Sequence, residues 1–160
     1  MKTVVLVACV ATKIDKPAPA ENLYDSDLFK KSMAYAHKLT DSNDIYILSA
    51  KHHLLPIKKV IEPYDMTLND FSAEEKEQWA DTIISELKNK GYNLDKDKFV
   101  FLAGVNYRKY LEDKLQNIEI PLKGLRIGQQ KAKLAQLVTE IYIKIKKIVL
   151  QEIKKFIKWN

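Results

Sequence analysis

Apolar residues along this chain come in short unbroken runs and in longer periodic ones, and the two kinds alternate. Lys2 to Ala8 is rich in valine and too short for a helix, the pattern of a strand covered on both faces. Ile45 to Leu48 and Lys98 to Ala103 read as a second and a third strand, and Ile118 to Leu122 as a short fourth, closed by Pro121 and Gly124. Between them the period changes to that of helices. Asp25-Ser26 can cap a helix with Phe29, Met33 and Ala36 on one face, and Ser72 with Glu75 forms a capping box ahead of Trp79, Ile83 and Leu87, a helix that Gly91 ends. Asn106 to Leu115 reads as a further helix, and from Ile127 the pattern is helical to about Lys158.

Two stretches have neither period. Residues 9–23 hold Pro17 and Pro19, and residues 49–68 hold Pro56 and Pro63; irregular connections of this length in a compact domain are usually functional. The alternation of strands and helices predicts an α/β three-layer sandwich, with a four-stranded parallel sheet in order 2-1-3-4 and helices on both faces. Residues 1–160 are expected to form one such domain, with residues 131–160 as a basic helical extension. In that order the chain switches direction between the first and third strands. Three polar clusters then meet at the carboxyl edge of the sheet, where open α/β folds place ligands.

Composition adds limits. A chain of 160 residues, 46% apolar and 30% charged, fits one globular domain. No basic, long apolar leader is evident, so the expected location is cytoplasmic, and the single cysteine excludes an internal disulfide or a multi-cysteine zinc site. The net charge of +6 is concentrated at one end: from Lys131 onward there are eight lysines and two glutamates, so the preceding residues sum to zero. On a helical wheel Lys144, Lys147, Lys154, Lys155 and Lys158 gather on one face, the pattern of sequence-independent contact with phosphates. A second apolar set at Leu150, Ile153 and Ile157 gives the alternative of homo-oligomerisation through the same helix.

The candidate chemistry sits just past the strands. Cys9 ends the first strand and serves either as substrate contact and nucleophile or as a small packing residue, while Lys13 in the following loop is placed to hold a phosphate or carboxylate. Ser49, Lys51, His52 and His53 leave the second strand, and two adjacent histidines cannot both face one site. His52 is therefore a candidate acid/base or hydrogen-bonding group, with plain surface exposure as the alternative. Pro63-Tyr64-Asp65 ranks highest: Tyr64 offers a face for a base to stack on, and Asp65 a carboxylate to activate water. Gly104 with Tyr107 opens a helix where a ligand can approach backbone N–H groups. Arg126 and Gln129 follow the fourth strand and suit a base edge or sugar, although glutamines are also ordinary helix formers. No glycine-rich phosphate loop and no histidine pair at metal-binding spacing is present, so no cofactor and no metal is expected.

Taken together, Cys9-x3-Lys13, Leu23-Tyr-x-Ser26 with Phe29, Ile47-Leu-Ser-Ala-Lys51, Glu62-Pro-Tyr-Asp65, Phe101-Leu-Ala-Gly104 with Tyr107, and Pro121 through Gln130 resemble a family of short bacterial, archaeal and phage proteins of uncharacterised function, often labelled YaaA-like or peroxide-stress proteins. The match covers residues 3–134. More distantly the chain resembles the core domain of archaeosine synthase, which acts on a deazaguanine base in transfer RNA with a lysine nucleophile, in whose place Lys13 stands. The neighbouring residues differ, so amidine chemistry is not carried over. The fold expected here is also similar to that of the uracil-DNA glycosylase superfamily, whose members use a carboxylate-activated water and stacking on an extruded base. Pro63-Tyr64-Asp65 shares those residue types but not their order. These readings imply a nucleobase- or nucleoside-processing enzyme that cleaves or exchanges an N-glycosidic bond on a nucleotide or nucleic acid, with Asp65, Lys13 and His52 as catalytic candidates. The alternative is a protein that binds nucleotide without turnover. No membrane partner is expected.

Overall fold

A computed structural model describes residues 1–159. Its first strand, β1 (Thr3–Ala8), is followed by a two-residue strand β2 (Ala18–Pro19), a helical turn α1 (Ala20–Leu23) and the helix α2 (Asp27–Leu39). Next come β3 (Ile45–Ser49), β4 (His53–Pro56), β5 (Val60–Ile61) and the helix α3 (Ala73–Asn89). β6 (Lys98–Leu102), α4 (Val105–Glu112), β7 (Ile118–Glu119) and the 33-residue α5 (Ile127–Trp159) complete the chain.

The central sheet has five strands in the order β4-β3-β1-β6-β7, not the four strands in order 2-1-3-4 read from the sequence. β3, β1, β6 and β7 pair in parallel; the added strand β4 turns back antiparallel along β3, with Leu48 opposite Leu54 and Ile47 opposite Leu55. The stretch expected to be irregular is therefore partly a hairpin. Its cause is local: Leu54 and Leu55 are both buried, and Pro56 is tolerated because it ends an edge strand. The turn places His53 at φ +56, the one non-glycine residue with positive φ among those described. A second departure lies in residues 9–23, where β2 pairs antiparallel with β5 and closes the two long connections on each other.

Helices cover both faces. On one, Phe29, Met33 and Ala36 of α2 and Leu134 of α5 pack against Val5, Val7, Ile45, Ile47 and Val100. On the other, Trp79, Ala80, Ile83 and Leu87 of α3 and Leu111 of α4 pack against Val4, Leu6, Phe99 and Phe101. The capping box at Ser72 and Glu75 is formed in both directions, and Gly91, at φ +85, stands just past the end of α3.

α5 divides in two. Its first turns run along α2, whereas every residue from Tyr142 to Trp159 is exposed. At about 1.5 Å per residue the helix is roughly 50 Å long, so about half projects from the body. There Lys144, Lys147, Lys154, Lys155 and Lys158 occupy one arc and the apolar set Leu150, Ile153 and Ile157 another, which Tyr142, Ile145, Val149 and Phe156 widen and into which Lys146 falls. No helix among the described residues is long and apolar enough to cross a membrane. Removal of residues 143–160 should shift the melting temperature by less than about 2 °C, because exposed residues contribute little to stability. A larger drop in a thermal melt would mean that the projecting part packs on the body.

Candidate functional site

β1 is buried on both faces and hydrogen-bonded on both sides, so the residues that leave its carboxyl end are held tightly. Cys9 N–H donates to the Leu48 carbonyl at 3.2 Å, which extends the β1–β3 pairing by one step, and Cys9 Sγ lies 3.2 Å from Tyr107 Oη on α4. The loop then folds back on itself: Ile14 N–H donates to Leu23 at 2.9 Å and Asp25 N–H to Thr12 at 2.9 Å. This pins Lys13 over two rings. Its Nζ sits 4.3 Å from the centroid of Tyr64 and 5.5 Å from that of Tyr24, and donates to the carbonyls of Ala11 at 3.1 Å and Val10 at 3.3 Å.

Tyr64 is the hub. Its hydroxyl shares hydrogen bonds with Tyr24 Oη at 2.6 Å and Ser49 Oγ at 2.8 Å. Ser49 is fully buried at the end of β3; its Oγ accepts from His52 N–H at 2.9 Å, and its carbonyl accepts from Trp79 Nε1 at 2.9 Å. Trp79 also meets the Tyr107 ring edge-on at 5.9 Å. Five segments far apart in sequence, at Tyr24, Ser49–His52, Tyr64, Trp79 and Tyr107, are thus linked in one cluster.

Burial sets the protonation of this cluster. It pushes Tyr64 up to about 12, with the neighbouring Cys9 adding to the effect, and raises Tyr24 and Tyr107 above the ordinary value of 10.0. All three phenols remain protonated near neutrality and can donate. The same burial pulls Lys13 below its ordinary 10.5, against the opposing influence of Cys9 and Asp65. His52 is lowered from 6.5 by burial and then by Lys51, Lys59 and His53, so it is a neutral imidazole at neutral pH.

The candidates read from the sequence do not all play the parts expected. Lys13, Cys9, Ser49, Tyr64, Tyr107 and His52 come together, with Asp65 exposed at the rim and acting on Lys13 by charge. Tyr64 is not a free platform: Lys13 lies over its ring, Lys51 Nζ is 5.7 Å from the same centroid, and His52 packs against it edge-on at 5.3 Å. His53 diverges from His52, toward Phe71 and Trp79. Gly104 caps α4 and lines a cavity beside Cys9, whereas Arg126 and Gln129 are exposed at the start of α5, where Gln129 Oε1 accepts from Arg126 N–H at 2.9 Å. Lys144 lies 14 residues beyond cavity-lining Gln130 and Lys158 lies 28 beyond it, so they stand about 20 and 40 Å along the helix from the crevice. Sequence reasoning passed over Tyr24, visible in Leu23-Tyr-x-Ser26, and treated Trp79 as core alone. No group of three or more His, Cys, Asp or Glu side chains among the described residues is placed to hold a metal ion.

Fold and site define a three-layer α/β protein with a lysine–tyrosine cluster at the carboxyl edge of a mostly parallel sheet. The chain belongs to the family of unknown function DUF6884, whose model matches residues 4–136. No curated protein matches it.

Replacing Tyr64 by Phe leaves the Tyr24 and Ser49 hydroxyls short of a partner. The expected cost is about 1–3 kcal/mol of unfolding free energy, read from denaturant midpoints. An unchanged midpoint would show that the network contributes nothing.

Proposed function

We propose that this protein processes a nucleobase or nucleoside, cleaving or exchanging an N-glycosidic bond at the carboxyl-edge crevice. The observation that carries the reading is Lys13: an amine of lowered pKa, fixed over two aromatic rings and facing the charge of Asp65. The distant resemblance to the archaeosine synthase core, which handles a deazaguanine base in transfer RNA with a lysine nucleophile, motivates the choice of a base as substrate. The placement of the cluster at the edge where α/β sheets bind nucleotides supports the reading.

As the free amine, Lys13 Nζ attacks the anomeric carbon while the bond to the base nitrogen breaks and its electron pair leaves with the base. The ammonium proton passes to Asp65 and on to the departing nitrogen. Asp65 then takes a proton from water or an incoming base, which attacks the anomeric carbon, and delivers that proton to the Lys13 nitrogen, which leaves as the free amine while the carbon–nitrogen bond breaks. Neutral His52 and the protonated Tyr107 and Tyr64 supply hydrogen bonds to the substrate or the lysine. Base release followed by chromatography is the test. Asp65→Asn should lower the rate about 10²–10⁴-fold while leaving nucleotide affinity within about threefold. The wild-type rate should rise with pH toward a value below 10.5, since only the deprotonated amine attacks, and Lys13→Met should abolish that rise. Free base from the Asp65→Asn protein at the wild-type rate would overturn the assignment.

A second reading has one observation in its favour. Lys13 donates to the carbonyls of its own loop, as a fixed binding cation would. On that reading the crevice senses or sequesters a nucleotide, and tight binding without product identifies it.

The lysine arc of α5 extends the proposal to polymers, because groups about 20–40 Å from the crevice cannot touch a free nucleoside held there. If Lys144, Lys147, Lys154, Lys155 and Lys158 contact duplex phosphates, affinity should fall with salt at a log–log slope near −4 to −5. A flat salt dependence removes nucleic acid as the partner.

A further inference from the structure

Beside Cys9 a cavity of about 250 Å³ opens between the carboxyl ends of β1 and β6. We infer that it is an anion subsite which takes a phosphate group of the substrate. The choice of phosphate among anions rests on the nucleotide reading above; the anion preference itself does not.

Three sets of donors converge there without acceptors. Ser32 of α2 is 4% exposed and lines the cavity, yet its hydroxyl bonds to no other described residue. Arg108 also lines it; one end of its guanidinium is held by Glu112, while the buried Nε–H has no partner. Arg108 Nε is the one buried side-chain polar atom left unpaired among the described residues. Buried polar groups in native proteins are paired almost without exception, so with the unbonded Ser32 hydroxyl on the same lining it marks a place where something else supplies the acceptor. The third set is backbone. α4 begins at Gly104 with no side-chain cap, so N–H groups of its first turn lack acceptors, and both Gly104 and Val105 line the cavity.

Charge selects the ligand. The lining contains Arg108 and Lys123 and no carboxylate, and the amino end of α4 adds the positive pole of a helix. An acceptor with several lone pairs and negative charge satisfies a guanidinium, a hydroxyl and main-chain N–H groups together, as phosphate does. Size then limits how much of the ligand enters. The volume lies below the roughly 300–1,000 Å³ of sites that enclose a whole ligand, so the cavity holds the phosphate end. Ala8 and Val10 line the cavity, and Cys9 between them faces Tyr107, so one strand exit separates the cavity from the Lys13 cluster. A sugar phosphate anchored in the cavity has only that exit to cross for its anomeric carbon to reach Lys13.

Calorimetric titration of the full chain with AMP, GMP, CMP and UMP, each against its nucleoside, tests the subsite. At least one monophosphate should bind about tenfold or more tightly than its nucleoside. Ser32→Ala removes the hydroxyl, Arg108→Lys removes Nε–H while keeping the charge beside Glu112, and Val105→Pro removes one N–H at a position where proline suits a helix. Gly104 is already extended at φ −67 and ψ 166, which the residue before a proline requires, so the last variant should fold. Each variant that melts like the wild type should lose threefold or more of the phosphate preference with nucleoside affinity unchanged. Equal affinity for every pair, absence of binding by all eight ligands, or an undiminished preference in the folded variants would overturn the subsite. The dinucleotide ApA, which has only an internal phosphate, separates the sources: binding that the same variants weaken assigns the subsite to a phosphodiester. Phosphate preference without base release from any ligand sustains the subsite and sinks the N-glycosidic reading. Base release from nucleosides without phosphate preference does the reverse.

Discussion

Because β1 pairs on both sides and is covered on both faces, its carboxyl end can release the chain in only one direction. Val4, Val5, Leu6 and Val7 are essentially inaccessible, with β3 and β6 locking the register on either side. Displacing β1 by one residue would turn both apolar faces over at once, so the position of Cys9 is fixed by the core rather than by its own contacts. Everything at the crevice inherits that precision. Lys13 reaches the tyrosines because the loop after Cys9 is short of freedom, and Gly104 opens the cavity because β6 ends level with β1.

Two parts of the polar region built on this scaffold, the Lys13 ammonium and the cavity, work against local stability, unlike the tyrosine hydroxyl network beside them. Lys13 is partly desolvated, and its lowered pKa means that the folded state binds protons less readily than the unfolded chain does. Its contribution is most favourable above 10.5 and declines as pH falls through the folded value, so at neutral pH the charged lysine is a cost that the surrounding packing offsets. The cavity adds one unpaired buried donor, Arg108 Nε. A fold under selection for stability alone has no reason to keep these features within one strand exit of each other.

Strand and helix placement was legible where the signal was long or strongly capped. The valine run of β1, the box at Ser72 and Glu75, and the end of α3 at Gly91 all carry their geometry in a few adjacent residues. β4 was not legible, because Leu54-Leu55-Pro56 is too short to show a period and its pairing partner β3 supplies the burial that makes it a strand. The site divides the same way. Lys13, Tyr64 and Asp65 announce themselves by type and by position after strands. Ser32 reads as an ordinary helical serine, and Tyr64 reads as a stacking surface, until tertiary packing brings Lys13 onto its ring and Tyr24 onto its hydroxyl.

α5 joins two regimes in one helix. Its first turns complete the crevice side of the molecule: Gln130 lines the cavity and Leu134 is fully buried against the sheet. The family match ends at residue 136, and continuous exposure begins at Tyr142, so the shared architecture and the packed core stop within two turns of each other. All the residues of the lysine cluster and of the cavity fall before that boundary, and all five lysines of the polar arc fall after it. Chemistry at the crevice therefore does not require the projecting half. That half also presents an apolar arc which phosphate contacts would leave uncovered, so the lysines and the apolar residues of the same segment have to be explained separately.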